Sequence, residues 1–197
     1  MSRYQIVIDS SLLIAAYAQG IFPMALEHGE IGWFSPDPRG ILPLDAFIVP
    51  KRLARVVRQG RFDIRIDTAF EAVMRACAEA REDGTWISDE ILDSYVALHA
   101  RGLAHSVEAW RGGALVGGLY GVHIGGAFFG ESMFHRETDA SKVALVALVE
   151  RLNTRGFSLL DTQWTTAHLS QFGAIEIPRD EYLRRLTAAM GQRCVFP

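Results

Sequence analysis

Cysteine is scarce in this chain. Cys77 and Cys194 are the only two, and neither has a partner at CxxC spacing. A disulfide scaffold and a cysteine-built zinc site are therefore poor explanations of its stability. The six histidines are scattered with no ligand spacing, so no metal centre is expected. The opening MSRYQIVIDSS has no apolar stretch of the kind a secretory leader needs. No uninterrupted apolar run approaches the roughly 18 residues of a membrane span. The expectation is a cytoplasmic protein. An excess of positive charge is missing too: net charge is -3. The chain as a whole will not bind nucleic acid by bulk attraction, although a local basic patch could. There is no internal repeat and no low-complexity segment.

What is present is an ordinary globular composition, 49% hydrophobic and 22% charged over 197 residues. That is enough for one large domain, or one domain with a smaller lobe. DSSLLIAAYAQG reads as a short helix, capped by Asp9 or Ser10 and closed by Gly20. IFPMALEHGEIGWFSPDPRGILPL follows, with four prolines among its aromatics. It reads as extended, turn-rich chain, either a pinned surface loop or a substrate-contacting wall. In VPKRLARVVRQGRF the residues Lys51, Arg52, Arg55, Arg58 and Arg61 have no acid among them. Helical spacing puts Leu53, Val56 and Val57 on the buried side and the cations on the wet side. The cationic face is either merely solvated or a phosphate-binding surface.

Farther on, FDIRID alternates as a strand, and DTAFEAVMRACAEARE is a helix with Asp67 as its expected cap and Cys77 in the core. Ser88 caps a helix through DEILDSYVALHAR. HSVEAW, ALVGGLYGVHI and GAFFGESMF form antiparallel strands around two glycine turns. The many glycines of the second and third strands imply a close approach to the backbone or a bulged sheet, or else mark a few tolerated bends. DASKVALVALVERLNTRG is an apolar helix whose cap is expected near Thr138 or Asp139. Its N-terminus, beside Arg136, Ser141 and Lys142, offers the elements of an anion site, with capping by Asp139 the simpler reading. Short strands FSLLD and AIEIP and a last amphipathic helix, RDEYLRRLTAAMG, complete the chain. The expected division is a small N-terminal domain with a basic helix, 1–61, and a larger α+β domain, 62–197.

Three polar residues stand out. Glu131 lies in the apolar run GGAFFGESMF. Asp161 and Gln163 lie at the end of an apolar strand, two apart. In extended chain that spacing puts both on one side, where the carboxylate could hold the carboxamide by a hydrogen bond. Polar groups at the exit of core strands are where open sheets place function.

The segments GTWIS, HSVEAW, GGLYGV, GESMF, ASK and GAIEIPRDEYL, with AYAQGIFPM and WFSPDPRG upstream, resemble the bacterial leucyl/phenylalanyl-tRNA–protein transferases, in order from about Leu13 to Leu186. The resemblance implies a GNAT-like mixed sheet flanked by helices, preceded by a small N-terminal domain. It implies transfer of Leu or Phe, sometimes Met, from aminoacyl-tRNA to the α-amino group of proteins beginning with Arg or Lys, marking them for N-degron degradation. No cofactor and no metal are expected, since an aminoacyl ester is already activated, and the expected state is a monomer. Carried over by position, Asp161, Gln163 and Glu131 are the expected catalytic residues. Phe128, Gly130, Met133, Leu119, Leu145, Leu148 and Leu160 are the expected aminoacyl pocket. Trp33 and Trp86 would flank the terminal adenosine, and Lys51, Arg52, Arg55, Arg58 and Arg61 would hold the tRNA. Where a CoA-dependent GNAT enzyme has a glycine-rich pyrophosphate loop, this chain has RETDASK, without glycine. The rival readings are a conventional acyl-CoA transferase and a non-catalytic RNA-binding module.

Overall fold

The computed structural model describes residues 7–80 and 84–197. In chain order the elements are α1 (Ser10–Tyr17), β1 (Phe22–Ala25), β2 (Ile31–Phe34), β3 (Arg39–Ile41), α2 (Lys51–Arg58), β4 (Asp63–Ile66), α3 (Phe70–Glu79), α4 (Asp89–Ala100), β5 (Ala104–Arg111), β6 (Ala114–Ile124), β7 (Ala127–His135), α5 (Ala140–Thr154), β8 (Leu159–Gln163), α6 (Ala167–Ser170), β9 (Ile175–Ile177) and α7 (Arg179–Met190). The helix end expected at Arg81 and Glu82 lies outside the described residues.

Seven strands form one mixed sheet in the order β4-β5-β6-β7-β8-β3-β9. β4 to β7 are antiparallel neighbours. β7 and β8 run parallel, joined through α5, because a parallel pair needs a long crossover. This is the α+β architecture, a mixed sheet with flanking helices, that the resemblance implied. Residues 39–41, grouped by sequence with the N-terminal lobe, form an inner strand between β8 and β9. The turn-rich aromatic segment is thus more ordered than its prolines suggest: β1 and β2 form a separate two-stranded sheet.

The sheet separates two apolar cores. One gathers side chains of α1, α3, α4 and α7. The other packs α2 and α5 with the last residues of the chain. The strand glycines serve both purposes left open by the sequence. A Cβ at Gly117 would meet the Ser141 amide at 2.9 Å, so its absence lets the start of α5 lie close to the sheet. Gly121 sits at a bulge, where the register shifts between Tyr120 and Gly121.

Two expected caps are corrected. Asp67 has φ +58° and turns inward, accepting from the Ser106 amide at 2.8 Å and bonding His105 Nδ1 at 2.7 Å. The start of α3 is held instead by Glu108 of β5, which accepts from the Thr68 and Ala69 amides at 2.8 and 2.7 Å. Asp139 stands at the N-cap position of α5 but makes no capping bond. Its carboxylate pairs with Arg52 at 3.4 Å and Lys142 at 3.5 Å. With φ +70° its own backbone cannot aim the side chain at the helix amides, and two nearby cations take it. Asp9 and Ser88 cap α1 and α4 as expected.

Candidate active site

A cavity of about 540 Å³ opens where β7 and β8 part. The last paired residues of the two strands are Phe129 and Asp161. Beyond them the strands diverge, and the gap joins the two faces of the sheet. On one face the lining is mainly aliphatic, Leu119, Met133, Leu145, Leu148, Leu160 and Leu169, with Thr166 and His168 beside Leu169. On the other it is mainly aromatic: Phe22, Trp86, Tyr120 and Trp164, with Met24. Glu131 and Gln163 lie on the lining between them, and Gln163 Nε2 donates to Glu131 Oε1 at 3.3 Å.

The two polar residues of β8 are not side by side. Leu160 and Thr162 face the cavity, so alternation sends Asp161 to the opposite side. There it is wholly buried. Arg39 grips it with two bonds, Nε to Oδ1 at 2.9 Å and Nη2 to Oδ2 at 2.6 Å. The Tyr182 hydroxyl donates to Oδ2 at 2.7 Å, and the Gln163 amide donates to Oδ1 at 2.8 Å. Arg39 also donates to the Gly20 carbonyl at 2.8 Å and lies over the Phe22 and Tyr182 rings. Burial works against its charge, but the Asp161 bonds and charge prevail and hold its pKa above the usual value.

The expectation that Asp161 orients the Gln163 carboxamide is therefore corrected. Asp161 fixes the Gln163 backbone, holding it at φ +57°. That left-handed residue breaks the strand alternation and returns the Gln163 side chain to the cavity.

Glu131 is reached from the other face. Tyr17 at the end of α1 donates to Glu131 Oε1 at 2.6 Å, and the Tyr17 hydroxyl is hydrogen-bonded in turn to that of Tyr95 in α4. The Glu131 carboxyl lies among side chains with no cation against it. Burial pushes its pKa up, the Tyr17 bond pulls it down, the Asp161 charge raises it and the Arg39 charge lowers it. The result is a pKa of about 8.

Of the seven residues expected in the pocket, Gly130, Met133, Leu119, Leu145, Leu148 and Leu160 line the cavity, and Phe128 does not. Phe128 shares the face of Gly130 but lies deeper along β7. Its fully buried ring stacks on Phe196 at 5.1 Å, under the C-terminal residues. Trp86 is on the lining. Trp33 is not: it is 41% exposed on β2, paired across from Pro23. Trp164 holds the aromatic side instead, edge-on to Phe22 at 5.3 Å. Lys51, Arg52, Arg55, Arg58 and Arg61 are all exposed. Arg52 reaches Asp139 at the start of α5, six residues before Leu145, so about 9 Å of helix separates this cationic face from the cavity wall.

Sequence reasoning missed Arg39, Tyr17, Tyr95 and Tyr182. Arg39 carried a trace of itself as a lone cation just before the apolar ILPL. The tyrosines carried none, since each sits at an ordinary core position of its helix. Among the described residues no cluster of His, Cys, Asp and Glu could hold a metal ion, and no helix is long and apolar enough to cross a membrane.

The two sequence comparisons agree with each other. The family model described as leucyl/phenylalanyl-tRNA protein transferase matches residues 41–187, and the model of that family's N-terminal domain matches residues 8–37. A leucyl/phenylalanyl-tRNA–protein transferase of Paramagnetospirillum magneticum is 58% identical over 193 residues, covering 96% of this chain and 92% of its own. One from Gloeobacter violaceus is 55% identical over 192 residues, covering 97% and 98%. Among solved structures, a ribosomal-protein-alanine N-acetyltransferase from Brucella melitensis biovar Abortus 2308 aligns with a TM-score of 0.40 at 17% identity, covering 56% of this chain and 84% of its own. By sequence identity and by family model, the chain belongs to the leucyl/phenylalanyl-tRNA protein transferase family.

Proposed function

We propose that this protein moves Leu or Phe, and sometimes Met, from aminoacyl-tRNA to the α-amino group of proteins that begin with Arg or Lys. The products would enter N-degron degradation in the cytoplasm, and the enzyme would act as a monomer without metal or cofactor. The observation that carries the reading is the two-sided cavity. Its aliphatic chamber suits a Leu or Phe side chain, its aromatic side suits a stacked adenosine, and its only acid and carboxamide lie on the lining between them. Trp86 and Trp164 are the proposed adenosine contacts, and the exposed cations of α2 the proposed hold on the acceptor stem.

An aminoacyl ester is already activated, so the protein must align an amine, take up a proton and steady an oxyanion. The amine nitrogen attacks the ester carbonyl, the tetrahedral intermediate collapses, and the ribose oxygen leaves with a proton. Gln163 spends its NH₂ on Glu131, which leaves its carbonyl to accept from the amine and orient it. Glu131 is the proposed base. Its pKa of about 8 falls in the range of a free α-amino group, about 7.7–8.0. A proton can therefore pass from the acceptor ammonium to the carboxylate at little cost. Asp161 acts at one remove, by fixing Gln163.

The test is transfer of labelled Leu from intact charged tRNA to an Arg-initiated peptide. Product is expected. Its absence, with the tRNA still charged, overturns the reading. A salt-sensitive tRNA complex without transfer would favour the RNA-binding alternative.

A further inference from the structure

Glu131 accepts a bond from a tyrosine that is itself bonded to a second tyrosine, and both hydroxyls are buried on the face away from the aliphatic chamber. The protons of this chain can be assigned by elimination. Among the described residues the Tyr95 hydroxyl has no hydrogen-bond partner other than Tyr17. If Glu131 were the donor, Tyr17 would accept from it and pass its own proton to Tyr95. The Tyr95 O–H would then have no acceptor in a fully buried position, an arrangement that is costly. In the opposite direction Tyr95 donates to Tyr17, Tyr17 donates to Glu131 Oε1, and every proton has an acceptor. That direction requires an unprotonated Oε1.

We propose that Tyr17 and Tyr95 are positioning residues that favour the carboxylate form of Glu131 and aim it, so that its second oxygen is presented to the acceptor amine. Both described hydrogen bonds fall on Oε1, from Tyr17 and from Gln163. Oε2 is thereby left to the cavity. The rings are fixed by packing: Tyr17 lies 4.8 Å from Phe129, and Tyr95 meets Tyr120 edge-on at 6.0 Å.

The other groups near Glu131 cannot do this work. Asp161 on β8 raises the cost of its charge, and Arg39 on β3, which lowers that cost, is already paired with Asp161. Tyr182 on α7 donates to Asp161. Of the two direct donors to the carboxylate, Tyr17 at 2.6 Å is the closer, and Gln163 stands at 3.3 Å. The tyrosine chain also gives α1 a purpose beyond packing, because the N-terminal helix then supplies part of the reaction centre. The inference rests on Glu131 acting as the base in the transfer reaction.

The first experiment needs no substrate. In infrared pH titration of the whole protein, the carboxyl band of Glu131 is assigned by its loss in Glu131→Gln. Its midpoint should rise by about one pH unit in Tyr17→Phe and by a smaller step in Tyr95→Phe. An unchanged midpoint in a folded Tyr17→Phe overturns the proposal. If Tyr17→Phe fails to fold, Tyr95→Phe decides it by the same criterion. The second experiment follows transfer against pH. The acid limb of kcat should move up by the same step in Tyr17→Phe, so that transfer at pH 7 falls about tenfold with little change in peptide KM. A limb that stays in place while KM rises overturns it. A wild type that transfers nothing at any pH defeats the functional reading, while the infrared result continues to judge the tyrosines.

Discussion

Asp161 and Glu131 are two buried carboxyls on adjacent strands, and the protein treats them in opposite ways. Asp161 receives a bidentate arginine, a tyrosine and a backbone amide. Glu131 receives one tyrosine and one carboxamide, with no cation against it. A fully compensated charge is held in place. Glu131, pushed up to about 8 chiefly by burial, can exchange a proton near neutral pH. The sequence offered both as catalytic groups, but the partners divide them: Asp161 fixes the Gln163 backbone, and Glu131 is the proposed base.

Removing one half of the compensated pair should have the largest effect. Arg39→Met leaves the buried Asp161 carboxylate without its cation, and Asp161→Asn leaves the buried Arg39 guanidinium without its anion. Each should lose about 3–5 kcal/mol of stability in urea melts. The double variant Arg39→Met with Asp161→Asn should lose clearly less than the sum, because no uncompensated charge remains. Additive losses would mean that the two side chains are not a unit.

Glu131→Gln should do the reverse, sparing the fold and damaging the chemistry. A fall in kcat of about 100-fold with little change in peptide KM is expected for loss of a base. The sign of the stability effect follows from the raised pKa. Wild-type Glu131 binds its proton more tightly when folded, so its contribution is fully present below its ordinary value of 4.5 and is lost as pH rises through about 8. Gln cannot ionise and has no such loss. Glu131→Gln should therefore melt higher than wild type at pH 9, by on the order of 2 kcal/mol, with the gap closing toward pH 4. A variant that also loses stability at pH 9 would show that Glu131 is structural like Asp161.

These two carboxyls also mark how far the sequence could be read. Helix and strand periodicity placed β5, β6, β7 and α5 well, since each is long and has one dominant pattern. It grouped β3 with a small N-terminal lobe, because a three-residue strand between prolines has no period to detect. Strand alternation put Asp161 and Gln163 on one side. That inference failed because Gln163 adopts φ +57°, which nothing in LLDTQW announces. Glu131 stood out as a carboxylate in an apolar run, and the resemblance supplied most of the aliphatic wall. It could not supply Tyr17, Tyr95 or Arg39 as partners, because those contacts join residues 114, 78 and 122 positions apart. Phe128 was misplaced for a related reason: alternation gives the face of a strand but not the depth along it.

The aliphatic chamber sharpens the contrast from the ligand's side. Leu148→Phe adds a ring to a wall of the cavity and should exclude a bulky aminoacyl group before a small one. Transfer of Phe relative to Leu should fall about tenfold, measured as the ratio of the two kcat/KM values, since shape discrimination in apolar pockets is modest. The pH dependence should not move, because no titrating group changes. A shifted pH profile would mean that the chamber and the Glu131 site are not separable.

The smallest effects belong to α2, where charge is exposed. Arg55 and Arg58 make no ion pair among the described residues, whereas Arg52 is held by Asp139. Arg55→Ala and Arg58→Ala should each weaken tRNA binding a few-fold and reduce its salt slope by about one, equally for Leu and Phe esters. Arg52→Ala should do less, because Asp139 already offsets its charge and removing the arginine exposes that acid only in part, with Lys142 still 3.5 Å away. Equal effects from Arg52 and Arg55 would show that the Asp139 pair opens when tRNA arrives. A loss confined to one aminoacyl ester would place these cations at the cavity, since a phosphate contact cannot distinguish side chains that lie beyond the ester bond.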